Sequence, residues 1–204
     1  MSLREGDRST MTFRVIGISG SGRKGSYNTA LLRAAKQEVL RGVILEIVDV
    51  SHFPLFNEDL ESQIPAAVKD FKQKVKGADA VLLSTPEYNY SLSAIMKNAI
   101  EWGNRPDGEN SWQGKPAAIV SASASLRGGA RAQMHLRQIL VDLDMHPINQ
   151  PQLLVPRAEE KFDKNLRLTD ERSRQTLREL LIALVQWGVR LRANLADFPA
   201  FGES

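Results

Sequence analysis

Short apolar runs alternate along this chain with segments whose apolar residues recur every three or four positions. Phe13 to Ile18, Val43 to Val48, Ala80 to Leu83 and Ala117 to Ala122 are near-continuous apolar runs, the pattern of strands covered on both faces. A weaker fifth run, Ile148 to Val155, is broken by Pro151. Helical periods fill the gaps. Thr29 to Arg41 carries Leu32, Ala35 and Val39 on one face and stops at Gly42. After a loop with Pro54 and Pro65, a second helix aligns Val68, Phe71 and Val75 and stops at Gly77. Ser91 to Trp102 forms a third with Ser91 as its cap, and Leu136, Ile139, Leu140 and Leu143 line a fourth. The last starts at Thr169, followed by the dipole-favoured Asp170 and Glu171, and buries Leu177, Leu180, Leu181 and Leu184. Five strands and five helices in strict alternation predict an α/β fold, a doubly wound parallel sheet with helices on both faces. Pro156 to Leu168 is charged and aperiodic, and reads as a surface loop or lid.

Composition removes several kinds of chemistry. The chain has 204 residues and no cysteine, which excludes disulfides, thiolate catalysis and cysteine-held zinc or iron–sulfur clusters. Its three histidines, His52, His135 and His146, are too scattered for a metal cluster. No apolar run approaches the length of a membrane span, and the polar start has no signal-peptide core. The expectation is a cytoplasmic protein with a disordered lead (1–10), one domain (11–196) and a tail (197–204). The net charge is +3 with both signs interleaved, so no nucleic-acid footprint is expected. Arg127, Arg131 and Arg137 form the nearest thing to a patch and read as solvated helix-surface charge.

Two loops carry the chemistry. Each leaves the carboxyl end of a strand, where an open α/β sheet places its ligand crevice. The first, Gly20-Ser21-Gly22-Arg23-Lys24-Gly25-Ser26-Tyr27-Asn28, leads into a helix. Hydroxyls of Ser21, Ser26 and Thr29, the Asn28 amide and the helix's unpaired N–H groups suit a phosphate dianion, and Arg23 adds a charge-assisted contact. The competing reading is a surface turn in which Ser26 or Asn28 only caps the helix. Gly20, Gly22 and Gly25 also match a dinucleotide fingerprint, with Asp49 as its ribose acid. Asp49 nevertheless lies 24 residues past Gly25, a little beyond the roughly 20 expected, and the loop has more side-chain donors than that turn needs. The second loop is Thr85-Pro86-Glu87-Tyr88-Asn89-Tyr90. Pro86 stiffens the strand exit, Glu87 to Asn89 offer backbone donors, and the tyrosines offer stacking faces suited to a flat heteroaromatic ring. A polar turn with packed tyrosines is the alternative. A third loop, Ser121 to Arg131, has small residues and a glycine pair that permit close approach.

With Lys97-Asn98-Ala99-Ile100-Glu101-Trp102 and Gly128-Gly129-Ala130-Arg131, these loops resemble the NADPH-dependent FMN reductases, flavodoxin-like enzymes that include chromate and quinone reductases and relatives of azoreductases. The resemblance runs from about Phe13 to Leu195. It implies a five-stranded sheet in the order 2-1-3-4-5, non-covalent FMN, and NADPH (or NADH) as co-substrate. It also implies a small-molecule electron acceptor such as a quinone, azo compound, metal oxyanion or free flavin, and a homodimer or homotetramer. Carried over by position, Ser21, Arg23, Ser26, Asn28 and Thr29, with Ser19 and Tyr27 beside them, would hold the phosphate. Pro86, Glu87, Tyr88 and Asn89 would hold the ring, with Ser123 nearby. No protein side chain is assigned the chemistry itself, which belongs to flavin N5, and no metal site is expected. Tyr88, Trp102 and the helix from Arg131 to Leu143 are the candidate subunit contacts. Gly22 and Met134 depart from the family's usual residues. A non-enzymatic electron carrier, a Rossmann-type NAD-binding protein and a redox-silent scaffold are the rival readings.

Overall fold

A computed structural model describes residues 12–192; the expected lead (1–10) and tail (197–204) lie outside the described residues. β1 (Phe13–Ser19), β2 (Val43–Val48), β3 (Ala80–Ser84) and β4 (Pro116–Ala122) are joined by α1 (Tyr27–Glu38), α2 (Ala66–Gly77) and α3 (Ala94–Asn104). After α4 (Ala130–Asp142) come β5 (His146–Pro147), β6 (Leu153–Val155), the single turn α5 (Ala158–Lys161) and the long α6 (Glu171–Arg192). Among the described residues the strands of the sheet pair in parallel, and the strand order is β2-β1-β3-β4-β5, with β6 also on β4. That is the flavodoxin-like order expected.

The two faces follow from the period-2 geometry of each strand. Val15, Leu82, Ala118 and Val120 point to the face covered by α1 and α6, where they join Leu31, Leu32, Leu177, Leu180 and Leu184. Their neighbours Ile16, Ile18, Val81, Leu83 and Ile119 point the other way, to Phe71, Met96, Trp102, Leu136 and Leu140 on α2, α3 and α4. Burial on both sides explains why these strands read as unbroken apolar runs rather than alternating ones.

Several boundaries differ from the sequence reading. The fifth strand is two short ones, because Pro147 and Pro151 flank a stretch that cannot donate continuously to the β4 ladder. α3 is capped by Ser93, whose Oγ accepts from Met96 N–H at 3.1 Å, and not by Ser91. α6 is capped by Asp170 rather than Thr169: Oδ2 accepts from Ser173 N–H (3.0 Å) and Oγ (2.6 Å). Trp102 is fully buried and donates Nε1 to Pro54 O at 2.8 Å, so it is core and not a subunit contact. The 156–168 stretch is no loose lid. Ala158, Phe162 and Leu168 sit in the α1/α6 core, and Phe162 lies 5.1 Å from the Tyr27 ring.

Asp170 gives a pH test. The Lys161 ammonium at 2.6 Å, followed by the Ser173 donors, pulls its carboxyl from 3.8 to about 2. A depressed carboxyl stabilises the fold above its unfolded pKa, and that contribution fades as pH falls toward the folded value. Asp170→Asn keeps a good cap but removes the charge. It should cost about 1 kcal/mol at pH 7 after allowance for solvent screening. In urea titrations the gap from wild type should close between pH 4 and pH 2; a gap independent of pH would refute the assignment.

Candidate functional site

Strand order reverses between β1 and β3, since β1 leads outward to β2 and β3 inward to β4. The loops after β1 and β3 therefore diverge and leave a crevice at the carboxyl edge. An open cleft of about 200 Å3 occupies it, lined by Ser21, Arg23, Ser26, Tyr27, Asn28, Pro86, Glu87, Tyr88, Ala122, Ser123 and Ala124.

The floor is built around Asn28, which is buried. Its Nδ2 donates to Ala122 O at 2.9 Å, and its Oδ1 accepts from Ala122 N–H at 3.0 Å and from Ser84 Oγ at 3.2 Å. One amide thus joins α1, β3 and the end of β4. Ser26 is the N-cap of α1, accepting from Thr29 N–H at 3.1 Å. A capping hydroxyl uses a lone pair, so its own proton stays available. Among the described residues, the Tyr27 and Asn28 N–H groups of the first helical turn have no protein acceptor. Arg23 is exposed. The arrangement offers backbone and hydroxyl donors, beside a cation, at the positive end of a helix dipole.

The opposing wall comes from the second loop. Pro86 is buried, whereas Tyr88 and Tyr90 are half exposed or more. Tyr88 N–H and Ser91 N–H donate to each other's carbonyls at 3.0 and 2.9 Å, closing the loop on itself. Among the described residues, the Glu87 and Asn89 N–H groups have no protein acceptor. The Glu87 carboxylate turns away from this role: it accepts from the backbone N–H and the guanidinium of Arg131 at 3.0 and 3.1 Å. Ser123 Oγ is tied to Ser125 within the third loop.

Not every expected residue faces this cleft. Ser19 and Thr29 share a hydroxyl contact at 2.9 Å and line a neighbouring cleft of about 340 Å3 with Asp49, Arg33 and Lys24. Asn89 lines neither. The Asp49 carboxylate accepts from Ser51 N–H, which holds it below its usual range. The glycine fingerprint is formal. In a dinucleotide turn the last glycine allows helix and strand to pack closely, but a side chain at Gly25 would meet nothing within 4 Å. Gly20 is the crowded one, with a Cβ falling 2.7 Å from Ser93 Oγ.

Two of the three clustered arginines depart from the expected solvated charge, whereas Arg127 is exposed as expected. Arg131 is half-buried on Glu87, and Arg137 donates to Ile148 O at 2.9 Å, its guanidinium pKa pushed down by burial. In the sequence Arg131 reads only as surface charge and part of a family motif, and Ala122 and Ala124, which line the cleft, only as small residues of the third loop. Only the glycine pair ahead of Arg131 marked that helix start.

Comparison with known proteins agrees with this geometry. The family model for NADPH-dependent FMN reductase matches residues 13–160. An NAD(P)H-dependent FMN reductase of Pseudomonas aeruginosa is 48% identical over 180 residues, covering 88% of this chain and 97% of the relative. An NADPH:quinone oxidoreductase of Arabidopsis thaliana is 44% identical over 188 residues, covering 89% and 94%. Among solved structures, a flavoenzyme NAD(P)H:(acceptor) oxidoreductase from Paracoccus denitrificans superposes with a TM-score of 0.81 at 32% identity, covering 88% of this chain and 98% of that one.

The Asn28 junction makes a direct prediction. Asn28→Ala leaves the buried Ala122 N–H and C=O unpaired and should destabilise the fold by about 3 kcal/mol. A urea midpoint equal to wild type would show that the amide does not hold these elements together.

Proposed function

The chain belongs to the NADPH-dependent FMN reductase family, and from that premise we propose that its cleft holds FMN and serves a quinone acceptor. The protein is an FMN-dependent NAD(P)H oxidoreductase acting on a small-molecule acceptor. FMN held in the cleft would supply the redox chemistry that carries electrons from the nicotinamide to the acceptor, while the residues of the cleft bind and orient it.

The residues fit that cofactor. The phosphate would lie over the first turn of α1, taking the Tyr27 and Asn28 N–H groups, the Ser26 hydroxyl proton, Ser21 and Arg23. The observation that carries the reading is that turn: among the described residues its Tyr27 and Asn28 N–H groups have no protein acceptor, and α1 has no acid in its first turn. The ring would lie against Pro86, with the Glu87 and Asn89 N–H groups at its edge and Tyr88 beside its open side. Asn28 acts from beneath, by fixing the helix start. No side chain in the cleft is needed as nucleophile or general base, since the wall and floor bind and orient. Ser19 and Thr29 support the loop through their mutual contact. The domain spanning 11–196 would be the flavin-binding unit.

Assembly as a homodimer or homotetramer is supported by exposed Met134 and Val141, seven residues apart on one side of α4, and by Tyr88 at the cleft mouth. No helix among the described residues is long and apolar enough to cross a membrane, and we place the protein in the cytoplasm.

Reconstitution tests the phosphate assignment. Arg23→Ala and Ser26→Ala should each weaken FMN binding about tenfold, from loss of one charge-assisted or helix-end contact, and leave riboflavin binding unchanged. Equal losses for both flavins would displace the phosphate from α1. NADPH oxidation with benzoquinone, followed against azo and metal-oxyanion acceptors, tests the substrate class. A protein that stays colourless with FMN and turns over none of them would overturn the reading.

A further inference from the structure

We propose that Arg131 and Tyr90 are positioning residues: α4 grips the second loop from the side and sets the height and tilt of the ring held against it. This rests on FMN lying in the cleft.

The second loop has an unusual shape. Asn89 and Tyr90 both take positive φ, 48° and 68°, a region that non-glycine residues enter only when their surroundings hold them there. Neither belongs to the sheet. The reciprocal Tyr88–Ser91 bonds close them into a two-residue turn, and α4 fastens that turn from the side. That helix begins without a side-chain cap of its own, because its N-cap is Gly129 at φ 89°, where a Cβ would fall 2.7 Å from Ser121. The missing cap is supplied from the second loop by Glu87, whose Oε2 accepts from Arg131 N–H at 3.0 Å while Oε1 accepts from Arg131 Nη1 at 3.1 Å. A carboxylate at a helix N-terminus is favoured by the dipole as well as by the bond.

The same guanidinium lies 3.6 Å from the centre of the Tyr90 ring, a cation–π contact that pins the residue with the larger positive φ. One turn further along α4, His135 Nδ1 lies 3.0 Å from Ser91 Oγ. Ser91 closes the loop through its paired bonds with Tyr88. Arg131 and His135 are four apart, so they share one helix face. Three successive parts of the loop (Glu87, Tyr90 and Ser91) are thus fastened to two residues of one rigid element. The Glu87 and Asn89 N–H groups lie between these fastenings.

The grip is read without the cofactor and with it. In apo-protein, Arg131→Met should speed amide exchange at Tyr88 and Ser91 about tenfold, the loss expected for one buried-side ion pair. Loaded with FMN, the variant should show an altered visible circular dichroism band and about tenfold lower kcat with quinone. Its FMN affinity should stay within about threefold of wild type, because the phosphate contacts are intact. Arg131→Lys restores charge but neither the fork nor the stack, so it should recover less than half of each effect. Tyr90→Phe keeps the ring and should match wild type, whereas Tyr90→Leu, at an exposed position that tolerates change, should speed exchange. Wild-type exchange and an unchanged flavin band in both Arg131→Met and Tyr90→Leu would overturn the proposal. A wild-type protein that takes up no FMN would instead sink the cofactor reading, with loop exchange still deciding whether α4 holds the loop.

Discussion

The carboxyl edge of this sheet is organised by a single buried amide. Asn28 sits on the first turn of α1, yet its side chain bonds downward into the ends of β3 and β4 instead of outward to solvent. Burial makes those bonds obligatory, because Ala122 N–H and C=O have no water to turn to. The helix start is therefore fixed in height and rotation over the strand-order reversal. A leucine of similar size would leave Ala122 N–H and C=O unpaired, and only the Ser26 cap would then mark where the helix begins. The N–H groups of that first turn are directional donors, and their use depends on a helix start defined to fractions of an ångström.

The two walls of the cleft are held by different physics. The first loop is anchored from beneath by neutral, fully buried hydrogen bonds, in which a lost partner leaves an unsatisfied group. The second is anchored from the side by half-buried charged and aromatic contacts among Glu87, Arg131 and Tyr90. Such contacts are individually weaker and partly screened by solvent. The wall built by the first loop is consequently the more firmly specified of the two.

How far this was legible in the sequence depended on the range of the interaction. β1, β3 and β4 were readable because burial on both faces leaves nearly unbroken apolar runs, β2 from its β-branched residues although much of it is exposed, and α2 because Gly77 ends its period. The loop after β1 was readable as a helix mouth rich in donors. Which donors remain available was not. Ser26 proved to be the cap, Asn28 a floor bond, and Tyr88 N–H part of the loop's own closure. The capping and phosphate-binding readings of that loop are not exclusive, since the Ser26 lone pair serves Thr29 and its proton is left over. The packing of Phe162 and Leu168 has no period to reveal it. The Glu87–Arg131 pair spans 44 residues and two elements, a distance across which no local pattern speaks.

The distribution of acids around the helix starts turns these local facts into one argument. Among the described residues, α1, α2, α3 and α4 have no acidic residue in their own first turns, whereas α6 opens with Asp170 and Glu171. α3 is satisfied by the Ser93 hydroxyl, and α4 borrows the Glu87 carboxylate from the second loop. The helix that lines the cleft floor receives no carboxylate at all. A protein acid over α1 would add to the stability of that helix by neutralising its dipole, and would also repel any anion brought to the same place. Leaving that positive end to a single neutral hydroxyl gives up this stabilisation in the folded protein, and on the proposed assignment a phosphate dianion would restore it on binding. Cofactor affinity and helix stability would then be linked in one turn of chain.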